Sequence, residues 1–333
     1  MNWRQHLIAN RRKTYIIMAS FIALYAMLGA VSVLFFTPHY GMDAWLPILA
    51  RSDSQQIIAT FMAISCVIIF IAMLFGGKLT LSGTDAIQVT RDATQPQHQQ
   101  LYNVVEELKI ASSMDFMPKV YVMRVGYMNA FASGWHEKNA VVAITEPLLN
   151  ILTREELQGV MAHELSHIRH QDTRVMTLVG VASSLLVWLI DILFRQLLYS
   201  NHRRNRRRND ASGIMIIVVM ALRFILPILT AFMVMYVSRK REFLADAGCV
   251  EITRNTKGLA SALRKIHQGH EQHKEKMKEA YQSTPNEQMR SQSYIYSPLK
   301  GGVKNWMNIN DWFATHPSLK ERLEMLGEVS SND

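Results

Sequence analysis

The chain has 333 residues, of which 49% are hydrophobic and only 19% are charged, and this composition excludes an intrinsically disordered protein. Its two cysteines exclude a small scaffold held together by disulfides. The formal net charge is +9, and eight of these charges lie in residues 1–13 and 200–213. Because the rest of the chain is nearly neutral, we expect no folded nucleic-acid-binding face.

Four segments are apolar enough to form membrane helices: residues 15–36, 57–75, 175–190 and 214–237. About 20 apolar residues span the hydrocarbon core of a bilayer, so the first two segments are predicted to cross it. The other two are predicted to form a helical hairpin that either crosses the bilayer or stays buried at the interface. Within this hairpin, Asp191 and Arg223 are expected at similar depth, where they would form an ion pair.

Lysine and arginine residues close to these segments indicate the orientation. Ten of them lie on the side that the N-terminus shares with the long polar stretches, and six lie on the opposite side. The positive-inside rule therefore favours polar stretches that face the cytosol. Five of the six opposite charges are the arginines within residues 203–208, and this cluster conflicts with the rule unless the hairpin stops short of the far surface.

The order of polar and apolar stretches predicts four units. Residues 1–76 hold the N-terminal tail and the first two membrane helices. Residues 77–174 and 238–333 are both polar, and together they are long enough to bury one sizeable core. We therefore expect one catalytic domain built from two segments around the hairpin of residues 175–237.

Residue patterns in the first polar stretch predict its local structure. Leu101, Val104, Val105 and Leu108 follow helical spacing. Residues 120–125 and 140–145 are rich in β-branched side chains and predict a small antiparallel β-sheet. Thr153 and Glu156 match a capping box, which predicts that the next helix begins there.

This capped helix carries the candidate chemistry, because residues 163–167 read His-Glu-Leu-Ser-His. At 3.6 residues per turn, His163 and His167 share one face and can bind one zinc ion. Glu164 lies beside the first ligand, where its carboxylate can take a proton from metal-bound water. The alternative is a helix with two ordinary histidines, since such a motif arises by chance in roughly one in fifty sequences of this composition.

Two carboxylates further along the chain can complete a zinc site. Glu242 and Asp246 follow the fourth apolar segment and share one helix face. One can bind zinc while the other accepts a hydrogen bond from a ligand histidine. If the third and fourth segments are antiparallel, these residues return to the surface that holds His167, within about 12 Å of the membrane by helical rise. The alternative is that both carboxylates only balance the basic residues 239–241.

Several pieces of the chain occur in the order and spacing of one known family: Asn129-Ala-Phe-Ala-Ser-Gly134, the motif at residues 163–167 with Asp172 beyond it, the stretch SRKREFLADAG at residues 238–248, and Thr315-His316-Pro317 followed by Arg322. On these pieces and its two N-terminal spans, the chain resembles the HtpX-type membrane zinc metalloproteases, which are relatives of the CAAX prenyl proteases. The resemblance runs from about residue 120 to residue 327.

The resemblance implies a mainly α-helical integral membrane protein with a small β-sheet and a zincin-like, gluzincin-type catalytic domain. It implies a multi-pass protein of the bacterial inner membrane, with one zinc ion per chain and a site that faces the cytosol. The expected activity is endopeptidase cleavage of unfolded or damaged membrane proteins, in protein quality control and the stress response. The expected partners are these polypeptides and the lipid bilayer, without nucleic acid.

Each matching residue then receives an expected role. We assign His163, His167 and Glu242 as metal ligands, Glu164 as the general base, and Asp246 and Asp172 as supports of the ligands. Asn129 and Ala130 resemble the edge strand that pairs with the substrate backbone, although an ordinary turn is the alternative. His316 is expected to stabilise the oxyanion, with Arg322 supporting it. Ser318 and Glu321 also match a capping box, so this last segment is alternatively only the start of a helix.

Two rival functions remain open from the residues. A prenyl-peptide protease would carry more membrane spans than the four apolar segments here. A non-catalytic membrane scaffold would hold a structural zinc, which normally has four protein ligands. Residues 268–305 depart from the family and are interpreted as a polar insertion that gates the cleft.

Overall fold

The computed structural model describes residues 3–37, 44–203, 220, 239–296 and 317–328. Several expectations concern residues outside this set, among them those for most of the arginine cluster within residues 203–208 and for residues 297–305 of the expected insertion. The fourth apolar segment lies outside it apart from Met220, Arg223 of the expected ion pair is outside it, and so is His316.

The described part of the chain combines α-helices with one small sheet. Its α-helices are α1 (Trp3–Phe36), α2 (Trp45–Leu49), α3 (Ser52–Leu79), α4 (Pro96–Ala111), α5 (Glu146–Ile151), α6 (Arg154–Arg169), α7 (Thr173–Arg203), α8 (Arg239–Thr253), α9 (Lys257–Gln272), α10 (Lys274–Ser283), α11 (Glu287–Arg290) and α12 (Leu319–Leu326). Its strands are β1 (Ala86–Val89), β2 (Lys119–Met123), β3 (Ala130–Ser133) and β4 (Val141–Thr145). The predicted fold class, mainly helical with a small sheet and membrane helices, is confirmed.

Three of the described helices are long and apolar enough to cross a membrane. The candidate spans are Arg12–Leu34 in α1, Ser52–Leu79 in α3 and Thr173–Ile192 in α7. They share one apolar core, in which Phe21 and Tyr25 are fully buried. Along α3, by contrast, Phe70 and Phe75 are exposed, as expected of side chains that face lipid. The first three predicted membrane segments therefore coincide with three helices of suitable length.

The sheet has the strand order β1-β2-β4-β3 and is mixed. β1 pairs with β2 and β3 pairs with β4 in antiparallel fashion, whereas β2 and β4 are parallel. The expectation of a wholly antiparallel sheet is wrong at this one pairing. The parallel pairing follows from the connection between β2 and β4. After β2, residues 124–140 first form β3 at the edge of the sheet. The chain then returns to the space between β3 and β2 as β4, which runs in the same direction as β2.

The main core lies between this sheet and the helices α4, α6 and α9. The four apolar residues that predicted α4, from Leu101 to Leu108, are all buried in this core. Residues 142–144 of β4 and residues 160–162 of α6 are buried in the same cluster. The helix that carries the histidine motif is therefore held against the sheet by apolar packing.

Two glycines allow α6 to approach α9 closely. A Cβ atom added at Gly159 would lie 2.9 Å from the Cα atom of Leu259, and one added at Gly258 would lie 2.6 Å from the carbonyl oxygen of Glu155. Both contacts are with backbone atoms, which cannot rotate away. The crossing of these two helices therefore requires residues without side chains.

We expect Gly159→Val to destabilise the protein by about 2 kcal/mol, because an overpacked core must shift its backbone to accept added methyl groups. Thermal unfolding of the detergent-solubilised protein measures this effect. Ala247→Val is the matched control, because it also adds a β-branched residue to a helix but at an exposed position. An unchanged transition for Gly159→Val would contradict this close crossing.

Candidate metal centre

The start of α6 is fixed by the predicted capping box. The amide of Glu156 donates to Thr153 Oγ1 (3.3 Å), and the amide of Thr153 donates to the Glu156 carboxylate (2.8 Å). Lys265 of α9 donates to the same carboxylate (2.7 Å). These bonds satisfy donors of the first helical turn and tie it to α9. The orientation of the helix, and hence of its two histidines, is thereby set.

His163, His167 and Glu242 converge at one point between α6 and α8. The Nε2 atoms of the two imidazoles are 3.1 Å apart. Glu242 Oε2 lies 3.6 Å from Nε2 of His163, and Glu242 Oε1 lies 3.8 Å from Nε2 of His167. One ligand atom from each residue lies within 4.8 Å of the other two, and all three side chains are buried.

The second nitrogen of each imidazole faces a carboxylate. Nδ1 of His163 is 2.9 Å from Asp246, and Nδ1 of His167 is 3.1 Å from Asp172. A carboxylate at Nδ1 keeps the proton on that nitrogen and leaves Nε2 as the ligand atom. Asp246 and Asp172 therefore lie beside the two candidate ligands, and their role as supports stays a prediction.

Asp246 is itself held by Arg322 of α12. Arg322 Nε donates to one carboxylate oxygen (2.9 Å), and a terminal nitrogen donates to the other (2.5 Å). Although burial raises the pKa of Asp246, the guanidinium of Arg322 and the hydrogen bond with His163 lower it below its usual value. Asp246 thus remains ionised and accepts a hydrogen bond from His163.

The electrostatic environment of the site favours a cation. Burial by itself lowers the pKa of His163, but hydrogen bonds to Asp246 and Glu242 raise it to about 9. A group of anions that stabilises a proton on an imidazole also stabilises a metal ion in its place. Burial raises the pKa of Glu164, although the two neighbouring histidines partly oppose the shift.

Two observations fit a zinc ion at this point. Two imidazoles and one carboxylate form a typical donor set for catalytic zinc, which uses three protein ligands. Both carboxylate oxygens of Glu164 are buried and have no hydrogen-bond partner among the described residues. An unpartnered buried carboxylate beside the ligands has the chemistry required of a general base toward a water or substrate bound there.

The chain is similar over most of its length to known proteases. Residues 95–330 match the model of peptidase family M48. A protease HtpX homolog of Helicobacter pylori (strain Shi470) is 29% identical over 327 residues, which are 98% of this chain and 98% of that protein. A protease HtpX homolog of Dictyoglomus thermophilum is 34% identical over 327 residues, which are 96% of this chain and 93% of that protein.

The chain belongs to peptidase family M48. The resemblance inferred from the sequence motifs is thus confirmed, and so is the class of protein, a membrane metalloprotease. Among solved structures, S. mikatae Ste24p aligns with a TM-score of 0.46 and 17% identity. That alignment covers 94% of this chain and 66% of the Ste24p chain.

In this M48 peptidase, the edge strand expected to pair with substrate already has a neighbour. β3 is one of the two edge strands of the sheet. On its outer edge, Phe131 forms an antiparallel bridge with Tyr294, and the amide of Ile295 donates to the carbonyl of Ala130 (2.9 Å). The side chain of Asn129 bonds to the backbone of Tyr296. Asn129 and Ala130 thus lie at a sheet edge as predicted, but the chain itself occupies that edge.

The expected oxyanion pair is only partly described. His316 lies outside the described residues. Arg322 is buried and binds Asp246 and the carbonyl of Ile295 (2.9 Å). Ser318 and Glu321 form the predicted capping box, and α12 ends at Leu326 with Gly327 as its C-cap. Arg322 therefore lies on the Nδ1 side of His163, where it contacts this candidate ligand and the Asp246 carboxylate.

Sequence reasoning missed Arg241. This residue is buried, donates to Glu242 Oε1 (3.1 Å) and lies 3.7 Å from Asp172. It thus contacts one candidate ligand and the carboxylate that orients another. In the sequence it belongs to the matching stretch of residues 238–248 and to the basic run of residues 239–241, but neither feature led us to assign it a role at the site. Burial of one member of such a run is not encoded by its charge pattern.

Proposed function

We propose that this M48 peptidase is a zinc metalloendopeptidase that cleaves unfolded or damaged membrane proteins in quality control and the stress response. We place it in the bacterial inner membrane with its site facing the cytosol. The observation that carries the proposal is the convergence of the ligand atoms of His163, His167 and Glu242 within 4.8 Å, beside a buried Glu164 whose oxygens have no partner among the described residues.

The roles of the site residues follow from their positions. His163, His167 and Glu242 would hold the zinc ion. Zinc bound there would act as a Lewis acid on a peptide carbonyl and increase the acidity of a water molecule. Glu164 takes a proton from the attacking water as the new C–O bond forms. It then gives this proton to the amide nitrogen as the C–N bond breaks, so that a free amine leaves.

The position of the site supports a substrate that comes from the membrane. The candidate span of α7 begins at Thr173, six residues after His167 in the chain and directly after Asp172. Because α6 leads into a membrane helix across this short turn, the candidate ligands lie close to one end of that span. The count of basic residues described above favours the cytosolic end.

Removal of the metal tests the proposal. We expect the purified, zinc-loaded protein to cleave an unfolded membrane protein, and we expect the same preparation to lose this activity after chelation and to regain it when zinc is returned. The fragments are identified by mass spectrometry. A plain peptide and its isoprenylated form serve as further substrates, because a preference for the prenylated form would indicate a prenyl-peptide protease. Stoichiometric zinc binding without any hydrolysis would indicate a scaffold.

A further inference from the structure

The outer edge of β3 is covered by a later segment of the same chain. The sheet order leaves β3 with one edge paired to β4 and one edge facing outward. On the outward edge, the bond from the Ile295 amide to the Ala130 carbonyl makes Phe131 and Tyr294 a non-hydrogen-bonded antiparallel pair. Residues 294–296, hereafter the strap, thus lie where an added strand would lie.

The side chain of Asn129 forms two hydrogen bonds with the backbone of the strap. Its side-chain nitrogen donates to the carbonyl of Tyr296 (2.8 Å), and its side-chain oxygen accepts from the amide of Tyr296 (3.3 Å). These two bonds involve only backbone atoms of residue 296. Any extended chain in the same place can make them, whatever its side chains.

Aromatic residues form a pocket around the first side chain of the strap. Tyr294 is buried and packs edge-on against Phe131, Tyr127 and Tyr281, with ring centroids 5.9 to 6.1 Å away. Its hydroxyl lies 2.8 Å from the hydroxyl of Tyr127. A pocket of this kind fits a large aromatic side chain, because edge-to-face contacts and one polar partner are both available.

The strap is anchored at one end and reaches the metal centre at the other. Just before it, Arg290 is fully buried and donates to the carbonyls of Thr80 and Ser82 (3.0 and 2.9 Å), at the end of the membrane helix α3. Within it, the carbonyl of Ile295 accepts from Arg322, whose guanidinium also lies 3.3 Å from Nδ1 of His163. The strap therefore runs from a membrane helix to the residues behind a candidate ligand.

We infer that the strap competes with substrate for the outer edge of β3. This inference rests on the proposed function and adds to it a restraint on activity and a substrate preference. In the form described, the edge is closed at Ala130 and Phe131. A substrate segment binds in extended conformation once the strap leaves, and it places an aromatic side chain in the pocket that Tyr294 vacates.

A reversible cross-link tests the competition. Phe131→Cys and Tyr294→Cys would place two thiols on a non-hydrogen-bonded pair, where strand spacing allows a disulfide. The exposed Cys66 is changed to Ser in all proteins, and the buried Cys249 is kept. We expect the oxidised form to cleave an unfolded polypeptide at least about tenfold more slowly than the same protein after reduction with a phosphine, because the locked edge removes the competent population. Zinc content is expected to be equal in both forms.

Comparing one protein in two redox states distinguishes failure of this inference from failure of the proposed function. Tyr294→Cys alone, treated identically, is the control for effects of the oxidant and the phosphine. If mass spectrometry shows the cross-link and the oxidised form still cleaves at the reduced rate, the strap does not compete with substrate and the inference is overturned. If the protein with native residues at 131 and 294 cleaves no polypeptide when loaded with zinc, it is the proposed function that fails.

A second variant decides the matter if the double cysteine variant is inactive even when reduced. Ile295→Pro removes the amide that donates to Ala130, whereas Ile295→Val keeps it. We expect Ile295→Pro to lower KM for an unfolded polypeptide several-fold while its zinc affinity stays at the value of Ile295→Val. Equal KM values for the two variants would count against the inference.

The preference of the pocket for an aromatic side chain is tested in the Ile295→Pro variant, which lacks the amide that donates to Ala130. The synthetic peptide Ser-Gln-Ser-Tyr-Ile-Tyr copies residues 291–296. We expect it to inhibit cleavage competitively, and more strongly than the same peptide with Ala in place of the first Tyr. Equal inhibition by the two peptides would contradict the aromatic preference.

Discussion

Glu164→Gln is expected to lower peptide cleavage by about 10³-fold, within the range usual for loss of a general base. Its amide cannot take the proton from the attacking water, although it has the same shape as the carboxylate. Because Glu164 is not one of the three residues whose ligand atoms converge, the zinc affinity of the variant should equal that of the wild type. Steady-state kinetics on an unfolded polypeptide and a zinc titration measure the two effects.

The stability of this variant provides a second readout. Burial raises the pKa of Glu164, which means that its ionised form is costly in this environment. Glu164→Gln should therefore unfold no earlier than the wild type in the absence of metal. Glu155→Gln is the control, since it makes the same change at an exposed position of α6. Wild-type cleavage by Glu164→Gln would refute the assigned base.

Glu242→Gln is expected to weaken zinc binding by more than the roughly 10–100-fold typical of a lost supporting residue, because a ligand itself is lost. The neutral amide is a poor ligand for zinc, and the buried Arg241 also loses one of its two carboxylate neighbours among the described residues, keeping only Asp172. Competition with a chromophoric chelator measures the dissociation constant. Cleavage should fall with zinc occupancy and recover in part at high zinc concentration.

A matched variant on the same helix distinguishes loss of a ligand from a general effect of charge. Glu251 also lies on α8, but its side chain is 57% exposed and pairs with Arg169. Glu251→Gln should bind zinc as the wild type does, since an exposed ion pair contributes little. If Glu242→Gln also binds zinc within twofold of the wild type, the third ligand is a different residue.

Local spacing was sufficient to predict the framework of the site. The capping box at Thr153 and the spacing of His163 and His167 depend on residues within one helix, and the structure keeps both. The spacing of Glu242 and Asp246 likewise predicted that they share one helix face. Their different positions were not settled by spacing, because residues four apart on a helix are equivalent in pattern.

The structure distinguishes the two carboxylates through a distant residue. Arg322 binds Asp246 across a separation of 76 positions in the chain, and it leaves Glu242 to approach both Nε2 atoms. No local pattern encodes such a contact. The same limit applies to Arg241, whose burial depends on the packing of α8 against α6.

In the sheet, too, the individual strands could be predicted from local sequence, whereas their pairing could not. Runs of β-branched residues predicted β2 and β4, and both strands are present. These runs do not encode the direction of a neighbouring strand, so the parallel pairing of β2 and β4 was missed. Nor do they reveal that Tyr294 reaches the edge of β3, since that partner is far away in the chain.

An anomalous difference map recorded at the zinc absorption edge, on crystals of the protein with one equivalent of zinc, tests the central claim most directly. The account predicts one peak per chain, at about 2.0–2.2 Å from Nε2 of His163, Nε2 of His167 and a carboxylate oxygen of Glu242. A peak bound by other side chains, or no peak at full zinc loading, would contradict it.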